Sequence, residues 1–353
     1  MRWAIGLLMG LLFGSPALAE LISFEAKGAT RQTLTIYSSA DTDRMVELID
    51  AFQQSHPEVR IAYHLLDTLD IYDRAKSEMD AGKPTADLLI SSAMDLQIKL
   101  VNDGYASAHR SEETEALPPW ANWRNEAFGF TFEPVVMIYN KALAPHLTEV
   151  STRFELARAL ASDAATLQHR IVTYDPERSG AGFMFGTHDA IQSEDFWYLA
   201  RSLGDAHVML ETSTAAMIDK VTSGEALIAY NVLGSYAKAR VRQNPDLAIT
   251  LPRDYCLVMS RIAVITRTAR NLEAAAQFID FLLSREGQNL IANAASLYSL
   301  RNDIEGEATA ASLRQEAQGP LIPIHLGPGL LVYLDRLKRQ DFLKRWRRAM
   351  VGE

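Results

Sequence analysis

The sequence predicts an α/β protein built from two similar units, and three observations carry that reading. Short β-rich runs alternate with helical-period stretches from residue 34 to residue 101, and the same grammar resumes at residue 128. The chain has 353 residues, enough for two units at about 150 residues each. No polar linker separates the halves, which implies that the chain passes between the units more than once.

The first 19 residues form a segment apart. Arg2 precedes an apolar run over residues 3–13, and Pro16 leads into Ala17-Leu18-Ala19. That small-x-small pattern is an export signal cleaved before Glu20. The run is too short to span a bilayer, which takes about 20 residues. Residues 20–32 read as an irregular tether with Lys27, Gly28 and Arg31.

From there the elements follow in order. Residues 34–37 are a strand, and Ser38-Ser39-Ala40-Asp41 is a turn. Met45, Leu48, Ile49 and Phe52 then recur at helical spacing until His56-Pro57 ends the helix. Residues 59–65 alternate as a strand, 71–79 form a helix closed by Gly82 and Pro84, and 87–90 are a third strand. Ser91-Ser92 leads to a helix over 94–101. Such intervals mean βαβ units and a largely parallel sheet.

In the middle of the chain, residues 128–140 hold two extended runs broken at Glu133-Pro134. A strand at 171–174 is followed by a glycine-bearing loop over 175–182 and helices near 183–191, 196–203 and 215–222. Gly224 turns the chain into a buried strand at 226–230, which opens into a loop over 231–236. A strand-like stretch runs from Pro252 to Ile265, and helices occupy 272–283 and 286–294.

Composition and spacing exclude most chemistries. The net charge is −9, or −10 without Arg2, and the pI near 5.5 disfavours nucleic acid, which needs a basic face. Cys256 is the only cysteine, so no intrachain disulfide forms, which fits export to a bacterial periplasm better than a disulfide-stapled secreted domain. Gly180-Ala181-Gly182 with Gly186 is one residue too long for a dinucleotide fingerprint, and no lysine follows to make a P-loop. The eight histidines never fall three or four apart, and there is no G-x-S-x-G elbow. No enzyme, metal or cofactor is expected.

What remains is a set of short polar loops, each ending a strand and opening a helix. They are Ser38-Ser39-Ala40-Asp41, Ser91-Ser92, Ser179-Gly180-Ala181-Gly182, and 231–236 with Asn231, Gly234 and Ser235. In open α/β sheets ligands bind where such loops lie, and helix starts favour anions. Each serine can also serve merely as a helix cap, worth about 1 kcal/mol. Arg178, beside the Ser179 loop, is either a phosphate or carboxylate clamp or a solvated arginine. Trp120 and Trp123 either stack on a sugar or pack between the units.

These residues resemble the bacterial extracellular solute-binding proteins of the ferric-ion-binding type. The likeness rests on 34–39 (LTIYSS), Thr85-Ala86-Asp87-Leu88-Leu89, Glu133-Pro134 with Tyr139-Asn140-Lys141, and Asp175-Pro176 with Ser179-Gly180-Ala181-Gly182. It ends with 278–284 (FIDFLLS) and Glu286-Gly287-Gln288, the most specific of these motifs. The resemblance implies a two-lobe type II periplasmic binding fold, with hinge strands and an interlobe cleft that closes on its ligand. It divides the chain into the signal peptide 1–19, lobe 1 at 30–130 plus 258–300, lobe 2 at 131–257, and a helical segment at 301–353 packing on the lobes.

The candidate binding residues are those of the polar loops: Ser38, Ser39, Asp41, Ser91, Ser92, Arg178, Ser179, Gly180, Ala181, Gly182, Asn231, Gly234 and Ser235. Ferric relatives hold iron with two adjacent tyrosines, which align with Gly234 and Ser235 here, while the family's histidine and glutamate fall on Asp41 and Ser92. Gly and Ser present N–H and O–H donors where a hard cation wants phenolates. The expected ligand is therefore a small organic anion such as a sugar phosphate, phosphonate or carboxylate, Asp41 favouring one with hydroxyls. The implied partner is an inner-membrane ABC permease, with a monomer delivering solute in the periplasm. A ferric ion or a role as sensor for a membrane histidine kinase are the alternatives. The tail from Arg336 to Arg348 has seven basic residues and one acid, and reads as an amphipathic helix packed on a lobe or as a docking element for acidic lipid.

Overall fold

The computed structural model describes residues 20–351, so the signal segment lies outside the described residues. The strands, in chain order, are β1 (Glu20–Phe24), β2 (Gln32–Ser38), β3 (Val59–Leu65), β4 (Leu88–Ser91), β5 (Asn122–Trp123), β6 (Ala127–Gly129) and β7 (Glu133–Asn140). They continue with β8 (Ile171–Tyr174), β9 (Met209–Glu211), β10 (Ile228–Leu233), β11 (Leu247–Thr250), β12 (Cys256–Met259), β13 (Ile262–Ile265) and β14 (Leu321–Pro323). Between them lie α1 (Thr42–Ser55), α2 (Thr68–Asp80), α3 (Met94–Asn102), α4 (Glu112–Glu115), α5 (Arg153–Ser162), α6 (Ala164–Leu167) and α7 (Gly180–Gln192). The rest are α8 (Asp195–Asp205), α9 (Thr214–Ser223), α10 (Gly234–Gln243), α11 (Leu272–Leu283), α12 (Arg285–Asn293), α13 (Ala310–Glu316) and α14 (Arg336–Val351).

Two sheets organise these elements. The first runs β1-β3-β2-β4-β13-β6-β5 and the second β14-β12-β7-β10-β8-β9, with β11 also on β7. In the first, β2 is parallel to both β3 and β4, the βαβ pattern that the sequence announces. Neither sheet is largely parallel, however. β13 is antiparallel to β4 and β6, and β7 is antiparallel to β10, β11 and β12. The reason is the crossing chain: a strand that returns from the other sheet enters without a helical crossover.

Three other sequence expectations change. Residues 20–24 are not a tether but an edge strand on β3, where Ile22 and Phe24 face inward and Phe24 sits edge-on to Tyr63 at 6.4 Å. Glu133-Pro134 does not break an extended run; it opens the fully buried β7 and pairs with Met259 and Val258. The loop over 231–236 is absent, because β10 continues to Leu233 and α10 begins at Gly234. Asn231, at φ +66°, sits where the β10 register on β7 shifts, an irregularity that disguises the strand.

The chain passes between sheets at 130–132 and again at 260–261. These segments bind each other: Phe130 N–H donates to Arg261 O at 3.1 Å, and Arg261 N–H donates to Thr131 Oγ1 at 2.8 Å. Gly129 is required there, since a Cβ would stand 2.6 Å from Ser260 Oγ. A buried ion pair, Arg261 Nε to Glu133 at 2.8 Å, fixes the crossing strands, and Ser235 donates to the same carboxylate. A third passage follows α12, where Phe132 N–H bonds Tyr298 O, and carries the chain through α13 to β14. This pair of sheets with linked crossings is the two-lobe arrangement expected above.

Candidate functional site

A cleft of about 310 Å³ lies between the lobes, at the small end of the 300–1,000 Å³ usual for ligand sites. Lobe 1 supplies Ser39, Asp41, Leu65, Leu66, Asp67, Thr68, Asp70 and Ser92. Tyr174, Ala181, Thr212, Ser213, Thr214, Ala215, Leu233 and Tyr236 come from lobe 2. The wall is made of strand ends and helix starts, as the parallel βα connections dictate.

Six helices begin here. Asp41 caps α1, Asp67 caps α2, Ser92 directly precedes the α3 cap, Ala181 is in the first turn of α7, Ser213 caps α9, and Leu233 caps α10. Ala181, Thr214 and Ala215 sit at the first or second helical position, where N–H groups lack an acceptor inside the helix. Lobe 2 thus turns amide donors and positive helix ends toward the cleft.

Lobe 1 answers with carboxylates. Asp41, Asp67 and Asp70 line the wall, and among the described residues no lysine or arginine does. Burial raises the Asp41 pKa above its ordinary value, against the pull of Arg261. Burial also raises Asp67, with Asp70 adding to the effect and Arg178 opposing it. Neither Asp41 nor Asp67 makes a side-chain cap bond; instead their carboxylates face lobe 2, Asp41 against Tyr236 and Asp67 against Thr212. Among the described residues no three His, Cys, Asp or Glu side chains are grouped to hold a metal ion.

Two phenols complete the wall. Tyr236 accepts from Asp41 N–H at 3.0 Å across the lobes, and burial pushes its pKa up to about 12. Tyr174 Oη shares a 2.5 Å hydrogen bond with Thr214 Oγ1, and burial raises its pKa as well. The lobes meet at a second point, where Gly180 N–H donates to Thr68 Oγ1 at 3.1 Å.

Of the residues expected from sequence, Ser39, Asp41, Ser92 and Ala181 line the cleft together. The others are not among its lining residues. Ser38 Oγ accepts from Ala40 N–H and Ser91 Oγ from Ala93 N–H, which holds the two loops. Ser179 caps α7 by accepting from Gly182 N–H at 3.2 Å. Gly182 lies against Tyr174, where a Cβ would stand 2.4 Å from Tyr174 Cβ, and Gly234 packs on Pro134. Asn231 donates to Asp189 at 2.7 Å, Ser235 donates to Glu133, and Arg178 is exposed.

Sequence reading passed over Asp67, Thr68, Asp70, Tyr174, Tyr236 and the 212–215 segment. Ser213-Thr214 carries a visible cap signal, yet the three-residue β9 before it is too short to be recognised as a strand. Tyr236 follows directly on Gly234 and Ser235, and it is this next position that turns to the cleft. Trp120 packs on Phe132 at 5.5 Å, and Trp123 joins the apolar core under Gly327, both away from the cleft wall.

Comparison with known proteins agrees with this fold. Residues 47–313 match the family model described as bacterial extracellular solute-binding protein. The chain is similar to the substrate binding protein of an ABC transporter from Agrobacterium tumefaciens, with 40% identity, 95% of this chain and 100% of that one covered, and a TM-score of 0.89. It shares its fold with AfuA from Actinobacillus pleuropneumoniae, solved with exogenous fructose-6-phosphate, at 16% identity, 91% and 99% coverage and TM-score 0.74. Iron-bound HitA from Pseudomonas aeruginosa is likewise similar in fold, at 20% identity, 90% and 99% coverage and TM-score 0.69. A search among curated proteins found no match.

Proposed function

The chain belongs to the bacterial extracellular solute-binding proteins, and we propose that it captures a small hydroxyl-bearing organic anion for an ABC importer. The observation that carries this reading is the division of the cleft: amide ends of α7 and α9 on one wall, Asp41, Asp67 and Asp70 on the other. An anionic head, phosphate, phosphonate or carboxylate, fits the amide wall. Its body must bring hydrogen-bond donors to the carboxylates, or it would meet only like charge. A sugar phosphate has both parts. Inorganic phosphate has no such body and is disfavoured.

Binding proceeds by closure of the lobes, with the interlobe hydrogen bonds made in the closed form and no bond chemistry in the cleft. The closed protein is then presented in the periplasm to the membrane permease.

The test is a melting screen. A ligand at about 100 times its dissociation constant stabilises the fold by roughly 2.7 kcal/mol. Sugar phosphates should raise the midpoint, and their neutral parent sugars and ferric citrate should not. A larger shift with neutral sugars, or a coloured stoichiometric ferric complex, would overturn the ligand class. Solute-dependent activation of a reconstituted sensor kinase, without transport through a reconstituted permease, would overturn the delivery role.

A further inference from the structure

The C-terminal helix α14 carries a surface that the cleft does not use. Between Arg336 and Arg348 seven basic residues accompany a single acid, Asp341, so the helix is +6 in a chain of −9 and the remainder sums to −15. Its apolar side is occupied: Phe342, Leu343, Trp346 and Ala349 are buried with Phe183, Phe196 and Trp197. Three cations are also engaged, Arg347 bidentate on Glu177, Arg345 on Glu194, and Arg339 over the Phe183 ring at 4.6 Å.

Arg336, Lys338, Lys344 and Arg348 are exposed and have no carboxylate partner among the described residues. Leu337, Lys344, Arg348 and Val351 are spaced seven, four and three apart, which makes one outward stripe on the helix. Its two ends are open apolar side chains, Leu337 63% and Val351 68% exposed. Asp335 caps the helix, its Oδ1 accepting from Leu337 N–H at 3.1 Å and Lys338 N–H at 3.2 Å, and Arg336, Lys338 and Arg339 follow it in the first turn.

We propose that this outward face docks on an anionic phospholipid surface. A lipid layer matches it better than a protein does. The cations are spread along a helix of about 24 Å at about 1.5 Å per residue, without the central aromatic anchor that concentrates binding energy at protein interfaces. A layer of mobile phosphates meets dispersed charge equally well, and Leu337 and Val351 suit its apolar boundary. The −15 of the other residues is repelled by the same surface, which turns α14 toward the bilayer.

Co-sedimentation of the full mature chain with phosphatidylglycerol vesicles tests this, with phosphatidylcholine vesicles as the comparison. Binding is expected only to the anionic vesicles, and about 1 M salt, where the screening length is about 3 Å, should abolish it. Each cation near the surface contributes about five-fold in affinity, so Lys344→Gln with Arg348→Gln should weaken binding at least about ten-fold. The melting point of that variant reports that the fold is intact. Equal binding to both vesicle types, no binding to either, or full retention by the variant would overturn the proposal. Association that appears only when membrane proteins are reconstituted into the vesicles would assign the face to a protein and overturn it too.

Discussion

Asp95, the second residue of α3, shows how one buried group sets a pH dependence. It is 3% exposed, and its Oδ1 accepts from Leu96 N–H at 2.9 Å. Burial raises its carboxyl pKa to about 7, against the opposing effects of that N–H and of the Arg339 charge. Because the folded pKa exceeds the unfolded one of about 3.9, the fold favours the protonated form. Its contribution is fully present below about pH 4 and is lost as pH rises through about 7. Asp95→Asn, neutral at every pH, should therefore gain stability over the parent between these limits and hold the gain above them, on the order of 2–4 kcal/mol. Urea midpoints of both proteins from pH 4 to pH 8 check this, and a constant difference would reject it. Ser179 makes the contrasting case. Since its Oγ caps α7 and it is not among the cleft's lining residues, Ser179→Ala should lower apo stability by about 1 kcal/mol and leave solute affinity unchanged. Calorimetric titration showing a weakened affinity would return Ser179 to the binding wall.

At the scale of elements, α14 depends on one close approach. Gly204 of α8 lies under it, where a Cβ would stand 2.2 Å from Ala349 O and 2.7 Å from Met350 Cα. Those are backbone atoms, so the helix itself must move. Gly204→Ala should loosen α14 at a cost of about 1–3 kcal/mol, and limited trypsin digestion should then cut within 336–348 before the lobes are attacked. Uncut helix in the variant would show that α8 can shift instead. Much of this level was legible in the amino-acid order. The span of α11 is plain to the residue, because Ala275, Phe278, Ile279 and Leu282 keep strict helical spacing and a cap-like Ser284 follows. What local pattern cannot carry is pairing between distant segments. β1 is weakly patterned and owes its existence to β3, some 40 residues on, and β9 is held by β8 alone. The site divides in the same way. Ser39, Asp41 and Ser92 were visible at strand ends in lobe 1, whereas Asp67, Asp70 and Tyr236 reach the cleft through the packing of the two lobes.

In the whole molecule, closure rests on few direct contacts between the lobes at the cleft: Tyr236 accepting from Asp41 N–H, Thr68 Oγ1 accepting from Gly180 N–H, and Thr212 against the Asp67 carboxylate. The crossing segments are bound tightly to one another by Arg261, Thr131 and Glu133, so the hinge is anchored while the cleft side is lightly latched. That balance is what a capture protein needs. A neutral hydrogen bond contributes about 0.5–1.5 kcal/mol, enough to bias a two-state equilibrium by up to about ten-fold without locking it. Thr68→Val keeps the shape of the side chain but leaves Gly180 N–H without its acceptor in the closed form. The open state should then gain, with a larger radius of gyration in solution scattering of the apo protein and solute affinity weakened by about two- to ten-fold. Thr68→Ser retains the hydroxyl and should restore both. If Thr68→Val weakens affinity while the apo dimensions stay those of the parent, Thr68 acts on the solute directly and the latch is not what holds the lobes together.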